Sequence, residues 1–222
     1  MTGQTTPPTG AIGIVGAGKS GTAIARLAVA AGYQVQIASS GSPADTEMMM
    51  RVVAPGVQVV PIDDVARGTD LVVIAVPLRR FRELPRDLFA GRTVVDVMNY
   101  WPPIDGVLPE FENTDQPSSV IIQRALPATS SLVKTFNHLG YHQMEDLAAP
   151  AGTAGRVALG VAGDDRAAKE AVMRFVNTVG FDAADAGTLE DSRPLQPETA
   201  IFGAALDSDT LTALLAHHTH RV

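Results

Sequence analysis

The chain has 222 residues, 45% of them hydrophobic, so it can bury a substantial core in one large domain or in a large and a small one. Its formal net charge of -7 and its pI near 5.1 argue against nucleic acid and anionic membranes as partners, because their phosphates would repel the average surface. The absence of cysteine excludes disulfides and thiolate metal sites. The expected partner is a small molecule.

The N-terminal residues 1–10 consist largely of Thr, Pro and Gly and are predicted to be a disordered leader. They have neither the basic nor the apolar region of a signal peptide, and no later segment has about 18 consecutive apolar residues. A soluble, cytoplasmic protein is expected.

From residue 11 onward, strands and helices are predicted to alternate. The predicted strands are 11–15, 33–38, 57–60, 71–76, 93–98 and 132–136, and the predicted helices are 22–31, 44–53 and 118–126. Because helices between strands connect parallel strands, residues 11–137 are predicted to form a Rossmann-like α/β domain with a doubly wound parallel sheet. The stretch 99–117, rich in Pro, acidic and aromatic residues, is predicted to be an ordered loop over one sheet edge.

Residues 138–222 are predicted to form a smaller C-terminal α/β unit that contributes to substrate binding or dimerisation. It would contain a polar loop up to residue 155, a strand at 157–162, a helix at 166–179, a strand at 181–184 and a helix at 208–217.

A glycine-rich turn follows the first predicted strand. The hexapeptide Gly16-Ala17-Gly18-Lys19-Ser20-Gly21 matches G-x-G-x-x-G between a strand and a helix. In this context the first glycine makes the tight turn, the second lets a pyrophosphate approach the backbone, and the third lets the helix lie close to the strand. These six residues are predicted to bind the diphosphate of a dinucleotide.

The same residues also match the P-loop pattern of nucleotide triphosphatases, starting at Gly13. That reading leaves only Ala11 and Ile12 for the preceding strand and places Ile14 and Val15 in the phosphate loop. The dinucleotide reading is therefore preferred.

The end of the second predicted strand favours NADP(H) over NAD(H). An NAD site has a carboxylate there for the ribose hydroxyls, whereas this chain has Ser39, Ser40, Gly41 and Ser42. The three hydroxyls could donate hydrogen bonds to a 2′-phosphate. The nearest basic residue that follows is Arg51. Ser39, Ser40 and Ser42 are therefore predicted cofactor residues, and the alternative is an ordinary polar turn.

Other side chains receive weaker interpretations. His138 and His142, near Glu145, could polarise a carbonyl group or bind a metal, but solvated loop positions are preferred. Further residues with no assigned role are the terminal His217, His218 and His220, interpreted as a polar tail, and Met48, Met49 and Met50, interpreted as helix packing. Tyr100 and Trp101 could line a cofactor edge or cover the loop. No catalytic residue and no metal ligand is assigned.

The order of these motifs resembles the family of F420-dependent NADP oxidoreductases. The resemblance covers most of residues 11–190. It is carried by the glycine turn, Ser39-Ser40, Ala75-Val76-Pro77, residues 96–100, Val133-Lys134-Thr135-Phe136-Asn137, residues 161–165 and residues 185–187. It implies a pyrophosphate site at the turn and a 2′-phosphate site at Ser39 and Ser40. It also implies that the cofactor passes Val76 and Pro77 to a nicotinamide site near Asn99.

The expected function is hydride transfer between NADP(H) and a second redox cofactor, which the resemblance suggests is the deazaflavin F420. The alternatives are a non-catalytic NAD(P)-binding sensor and an imine or carbonyl reductase in which His138 would supply a proton. Two features depart from the family: Ser40 replaces the Arg that follows the family's serine, and the C-terminal end lacks its apolar helical closing segment. The family often forms dimers through the smaller domain, which makes a homodimer compatible with the resemblance.

Overall fold

The computed structural model describes residues 10–112 and 114–219, without the side chains of residues 218 and 219. Most of the predicted leader, the His218 side chain and His220 lie outside the described residues. Within them, no helix is long and apolar enough to span a membrane.

Eight strands form one sheet, with helices in the connections, so the predicted Rossmann-like α/β fold is confirmed. The strands are β1 (Ala11–Val15), β2 (Gln34–Ala38), β3 (Val57–Val59), β4 (Leu71–Ile74), β5 (Thr93–Asp96), β6 (Ser131–Lys134), β7 (Ala158–Gly163) and β8 (Asp182–Asp185). Their order is β3-β2-β1-β4-β5-β6-β7-β8, and all neighbours are parallel except β6 and β7. The order reverses between β1 and β4, which is the usual ligand-binding point of such sheets.

The helices are α1 (Lys19–Ala30), α2 (Pro43–Val53), α3 (Pro102–Asp105), α4 (Ser118–Ala125), α5 (Tyr141–Leu147), α6 (Arg166–Thr178) and α7 (Ser208–Thr219). Short 3₁₀ helices lie at Ile62–Asp64, Leu78–Glu83, Arg86–Phe89 and Glu190–Leu195. Of the three methionines in α2, Met50 is buried, whereas Met48 and Met49 are exposed. The predicted packing role is therefore wrong for Met48 and Met49.

Alternate residues of the central strands face opposite sides of the sheet. Leu71 and Val73 of β4 join a core with α1 and α6, while Val72 and Ile74 join a second core with α4. Because both faces of the sheet are covered here, the central strands β1 and β4 are uniformly apolar rather than alternating. This covering leaves the carboxyl ends of the strands as the place where a ligand can reach the sheet.

Several predicted bounds and two predicted loops differ from the structure. The helix predicted at 22–31 begins at Lys19, and the predicted loop at 99–117 contains the short helix α3. The strands predicted at 71–76, 93–98 and 132–136 end at Ile74, Asp96 and Lys134. The last of these ends early because Phe136 turns the chain with a φ of 61°. The predicted polar loop at 138–155 contains helix α5.

The predicted smaller C-terminal unit extends the same sheet. Strand β7 pairs with β6, and α7 packs on a small core around Leu195, Ile201 and Leu211. The domain boundary at residue 137 and a role of the following residues in substrate binding or dimerisation remain predictions.

Candidate dinucleotide cleft

A cleft of about 490 Å³ opens at the carboxyl ends of β1, β2 and β4. Its walls come from three loops: the glycine turn after β1, the serine turn after β2, and the segment after β4. The lining residues include Gly16, Ala17, Gly18, Ser39, Ser40, Gly41, Met49, Ala75, Val76, Pro77, Arg79, Arg80 and Glu83. The cleft thus brings together seven of the predicted cofactor residues: Gly16, Ala17, Gly18, Ser39, Ser40, Val76 and Pro77.

Two of the glycines allow tight packing around the turn. Gly16 has a φ of 118°, and a Cβ there would collide with the carbonyl group of Ala75. A Cβ on Gly21 would collide with the carbonyl oxygen of Gly16. These two glycines hold α1 close to the sheet edge. The P-loop reading is wrong, because Gly13, Ile14 and Val15 lie within β1.

Gly18 has a different role, because a Cβ there would have no protein atom within 4 Å. It precedes α1, whose N-terminus has no side-chain cap and no acidic residue in its first turn. The first amides of a helix without such a cap provide hydrogen-bond donors and a positive dipole end for an anion. The open space at Gly18 and the uncapped helix end fit a dinucleotide diphosphate.

Lys19, Ser20 and Gly21 form the first turn of α1 but do not line the cleft. The Lys19 ammonium lies 5.1 Å from the centre of the Tyr141 ring on α5, in a cation–π contact. If Lys19 contributes to diphosphate binding as predicted, it does so in this arrangement through its backbone amide.

The serine turn is already ordered by internal hydrogen bonds. The Ser39 hydroxyl lies 2.6 Å from that of Thr46 and accepts a bond from the Gly41 amide. The Ser42 hydroxyl caps α2 by accepting from the Asp45 amide at 3.1 Å, and it does not line the cleft. Ser40 is exposed, and no internal bond to its hydroxyl occurs among the described residues. Ser40 is thus the free hydroxyl of this turn.

Sequence reasoning missed Arg79 and Arg80, which line the same cleft as Ser39 and Ser40. The sequence pattern predicts the 2′-phosphate site after β2, whereas these two arginines follow β4. Their signal is the dipeptide Arg79-Arg80, two residues after the Val76-Pro77 pair. Strands β2 and β4 flank β1, so the loops after them face each other across the turn.

Asn99 does not line the cleft and belongs to a network of side-chain amides. Its amide donates to the carbonyl group of Asn137 at 2.7 Å, and the amide of Asn137 donates to the side-chain oxygen of Asn99 at 3.0 Å. Asn137 also donates to the carbonyl group of Leu195 at 2.6 Å. This network connects the ends of β5 and β6 to the C-terminal segment.

A buried ion pair lies at the ends of β5 and β6, next to this network. Lys134 of β6 and Asp96 of β5 are fully buried, 3.1 Å apart, and the ammonium also donates to the carbonyl group of Met98. Asp96 further accepts bonds from the Ser119 hydroxyl and the Met98 amide. Burial lowers the pKa of Lys134, and Asp96 opposes this shift. The pair fixes the loop that begins after β5.

The interpretation of His138 as a solvated loop residue is wrong. His138 is 1% exposed, and its Nε2 accepts a hydrogen bond from the Gly160 amide at 3.0 Å. Burial, with a smaller effect of the Lys134 charge, lowers the pKa of His138 to about 4. His138 is therefore neutral near pH 7 and cannot donate a proton to a carbonyl or imine from this position. The other histidine, His142, is exposed on α5.

His138 should make stability depend on pH. A folded-state pKa of about 4, below the ordinary 6.5, means that the unfolded chain binds more protons in this window. The contribution of neutral His138 to the free energy of unfolding is fully present above pH 6.5. It is lost as the pH falls to about 4, and the total loss is about 3 kcal/mol. Urea unfolding should show this loss in the wild type and a smaller one in His138→Gln. The control His142→Gln should lose as much stability as the wild type. If the free energy of unfolding depended on pH equally in all three proteins, the prediction would be contradicted.

A second cleft, of about 390 Å³, lies beside the loop that follows β5. Its lining residues include Tyr100, Trp101, Phe111, Glu112, Gln196 and Glu198. The Tyr100 hydroxyl donates to Glu112 and accepts from the Leu108 amide. Trp101 is 43% exposed. The sequence predicts that Tyr100 and Trp101 either line a cofactor edge or cover the loop. In the structure both residues line this second cleft, which shares no lining residue with the cleft at the glycine turn.

Residues 11–100 match the model of a protein family described as NADP oxidoreductase coenzyme F420-dependent. The predicted family resemblance is confirmed. The matched residues contain the glycine turn, the serine turn and the segment after β4, and they end just after Asn99.

Solved structures are similar over most of the chain. A hypothetical protein from Sinorhizobium meliloti is 27% identical, with a TM-score of 0.75, over 89% of this chain and 95% of that one. A candidate F420-dependent NADP reductase from Arthrobacter sp. FB24 is 25% identical, with a TM-score of 0.67, over 83% and 87%. A pyrroline-5-carboxylate reductase from Coxiella burnetii, 15% identical with a TM-score of 0.57 over 96% and 77%, shares the fold. No curated protein matches the chain in sequence.

Proposed function

We propose that this protein is an NADP(H)-dependent oxidoreductase that transfers a hydride between NADP(H) and a second redox partner, with the deazaflavin F420 as the first candidate. The observation that carries the proposal is the cleft that Gly18 and the serine turn line together, next to the uncapped N-terminus of α1. The family match over residues 11–100 supports both the cofactor and the reaction class.

The serine turn supports NADP(H) over NAD(H). No carboxylate stands at the end of β2, where one would accept the ribose hydroxyls and repel a 2′-phosphate. The exposed Ser40 hydroxyl and the neighbouring Ser39 can instead donate to phosphate oxygens.

The residues of this chain would act by binding and alignment. When bound, the nicotinamide supplies the hydride and the acceptor takes it up with one proton from solvent. Hydride transfer requires the two rings to lie about 3–3.5 Å apart, and positioning of this kind can provide much of the acceleration. Val76 and Pro77 line the cleft between the diphosphate site and the end of β4, and would guide the cofactor toward Asn99.

The second cleft is our candidate acceptor site. Strands β4 and β5 are neighbours, so the loops that follow them open at the same edge of the sheet. Tyr100, Trp101 and Phe111 offer aromatic surface for a planar ring.

The same cleft also favours a second candidate function, imine reduction. The charged residues that line it are Glu112 and Glu198, which suit a cationic iminium better than an anionic acceptor. Since His138 is buried and neutral, a protonated substrate would not require a proton from that side chain. The fold shared with a pyrroline-5-carboxylate reductase is compatible with this alternative.

The test is to mix the purified protein with NADPH and, in separate reactions, F420, free flavin or 1-pyrroline. The loss of nicotinamide absorbance and the disappearance of the acceptor are both followed. We expect acceptor-dependent oxidation of NADPH with F420. Oxidation with the imine alone would select the second candidate. NADPH binding without turnover on any acceptor would reject catalysis and favour a sensor.

Ser39→Asp should shift cofactor preference toward NADH. The new carboxylate would repel a 2′-phosphate and could accept the 2′-hydroxyl of NADH instead. We expect the ratio of NADH to NADPH affinity to rise at least about tenfold, the effect of one charge-assisted hydrogen bond. Ser39→Asn is the uncharged control and should change the ratio much less. An unchanged ratio in the Asp variant, measured by titration calorimetry, would count against this site.

A further inference from the structure

Three arginines follow β4 on a short 3₁₀ helix, Leu78–Glu83, and its periodicity places them on two of its three faces. Residues three apart share a face of such a helix. Leu78 and Phe81 form the buried face and anchor the segment in the core. Arg80 and Glu83 form a second face, and Arg79 and Arg82 the third.

Two of these arginines are neutralised by carboxylates. Arg80 binds Glu83 through both Nε and Nη2 at 2.8 Å. Arg82 binds Glu110 across the loop, which raises its pKa and lowers that of Glu110. The guanidinium of Arg79 has no hydrogen bond or ion pair within the part of the chain that the structure describes. Arg79 is the unpaired cation of this helix, and it lines the dinucleotide cleft.

The backbone of Arg79 is held in place by a buried carboxylate. Asp105, which is 8% exposed, accepts the Arg79 amide on Oδ1 at 3.1 Å and the Trp101 amide on Oδ2 at 2.9 Å. The loops after β4 and β5 are thereby joined, and the start of the 3₁₀ helix is fixed. An arginine on a fixed backbone loses less freedom when it binds an anion.

We infer that Arg79 is the residue that binds the 2′-phosphate of NADP(H), across the cleft from Ser40 and in place of a basic residue after β2. The inference rests on the proposed function. Residues after β2 and β4 line one cleft, so a phosphate held by the serine turn faces the segment that carries Arg79. The planar guanidinium can donate two parallel hydrogen bonds to phosphate oxygens. Specificity for NADP(H) would thus come from two loops on opposite sides of β1.

The decisive experiment compares the affinities of NADPH and NADH for wild type and Arg79→Ala by titration calorimetry. NADPH affinity should fall about 10- to 100-fold, the range for a charge-assisted bond, while NADH affinity changes less than about twofold. The NADPH affinity of Arg79→Lys should lie between those of the wild type and Arg79→Ala, because lysine keeps the charge but cannot donate two parallel hydrogen bonds. In wild type, 2′,5′-ADP should compete with NADPH far better than 5′-AMP, and Arg79→Ala should make this difference much smaller.

The matched control is the double variant Arg82→Gln with Glu110→Gln. It removes an arginine of the same 3₁₀ helix that does not line the dinucleotide cleft, without changing the net charge. It should keep the wild-type ratio of NADPH to NADH affinity. A loss of selectivity in this variant as large as in Arg79→Ala would overturn the assignment to Arg79.

The outcomes also separate this inference from the proposed function. Equal loss of NADPH and NADH affinity in Arg79→Ala would overturn the inference, since the side chain would then support the cofactor as a whole. Equal affinity of wild type for the two cofactors would reject a 2′-phosphate site and leave dinucleotide binding standing. Failure of wild type to bind either cofactor would reject the proposed function itself.

Discussion

Replacing Gly18 with alanine is expected to weaken NADPH binding about 100-fold while leaving the fold intact. The added Cβ would meet no protein atom within 4 Å, and the residue has a φ of -79° that alanine tolerates. Stability should therefore change by less than about 1 kcal/mol, and it could rise because alanine restricts the unfolded chain. The space that the methyl group fills is the space through which a diphosphate reaches the α1 amides, so the loss should appear in affinity.

Gly21→Ala is the matched control for this prediction. Alanine normally stabilises the interior of a helix, but here its Cβ would collide with the Gly16 carbonyl oxygen. We expect a loss of roughly 1–3 kcal/mol from overpacking, visible in urea unfolding. A Gly18→Ala variant with wild-type NADPH affinity would remove the central support for the dinucleotide site.

Breaking the buried pair between Lys134 and Asp96 should have the largest effect on stability. Lys134→Met would leave the Asp96 carboxylate fully buried with only the Ser119 hydroxyl and the Met98 amide as partners. Removing one member of a buried pair typically costs about 3–5 kcal/mol, because the remaining charge keeps its desolvation penalty. Urea unfolding at pH 7 would measure this loss.

Two further variants test whether the unpaired buried charge causes the loss of stability in Lys134→Met. Lys134→Met combined with Asp96→Asn should recover part of the lost stability, since the amide carries no charge. Arg166→Ala breaks an exposed ion pair with Glu170 and should cost less than about 1 kcal/mol. If Lys134→Met were no more destabilising than Arg166→Ala, the buried pair would not stabilise the fold as argued.

The structure also explains why short polar segments were misread from sequence. Helix α5 has seven residues with one fully buried side chain, Met144, so it shows almost no helical periodicity. It forms because Gln143 accepts the Gly140 amide and because Glu145 pairs with Arg26 of α1. An isolated helix of this length is marginal, and tertiary contacts decide whether it forms.

The sequence by itself determined the Rossmann-like sheet and the glycine turn. Both depend on consecutive residues: apolar central strands between helices, and Gly16, Gly18 and Gly21 at fixed spacing after β1. The family resemblance follows from the same local order of motifs.

Only the tertiary structure decided which distant side chains share an environment. It placed Arg79 in the same cleft as the serine turn, paired Lys134 with Asp96, and buried His138 against Gly160. The physical reason is that strand order, β2 and β4 on either side of β1, is not encoded in local periodicity. Charge and burial at these sites depend on neighbours from other strands and loops, which no local pattern specifies.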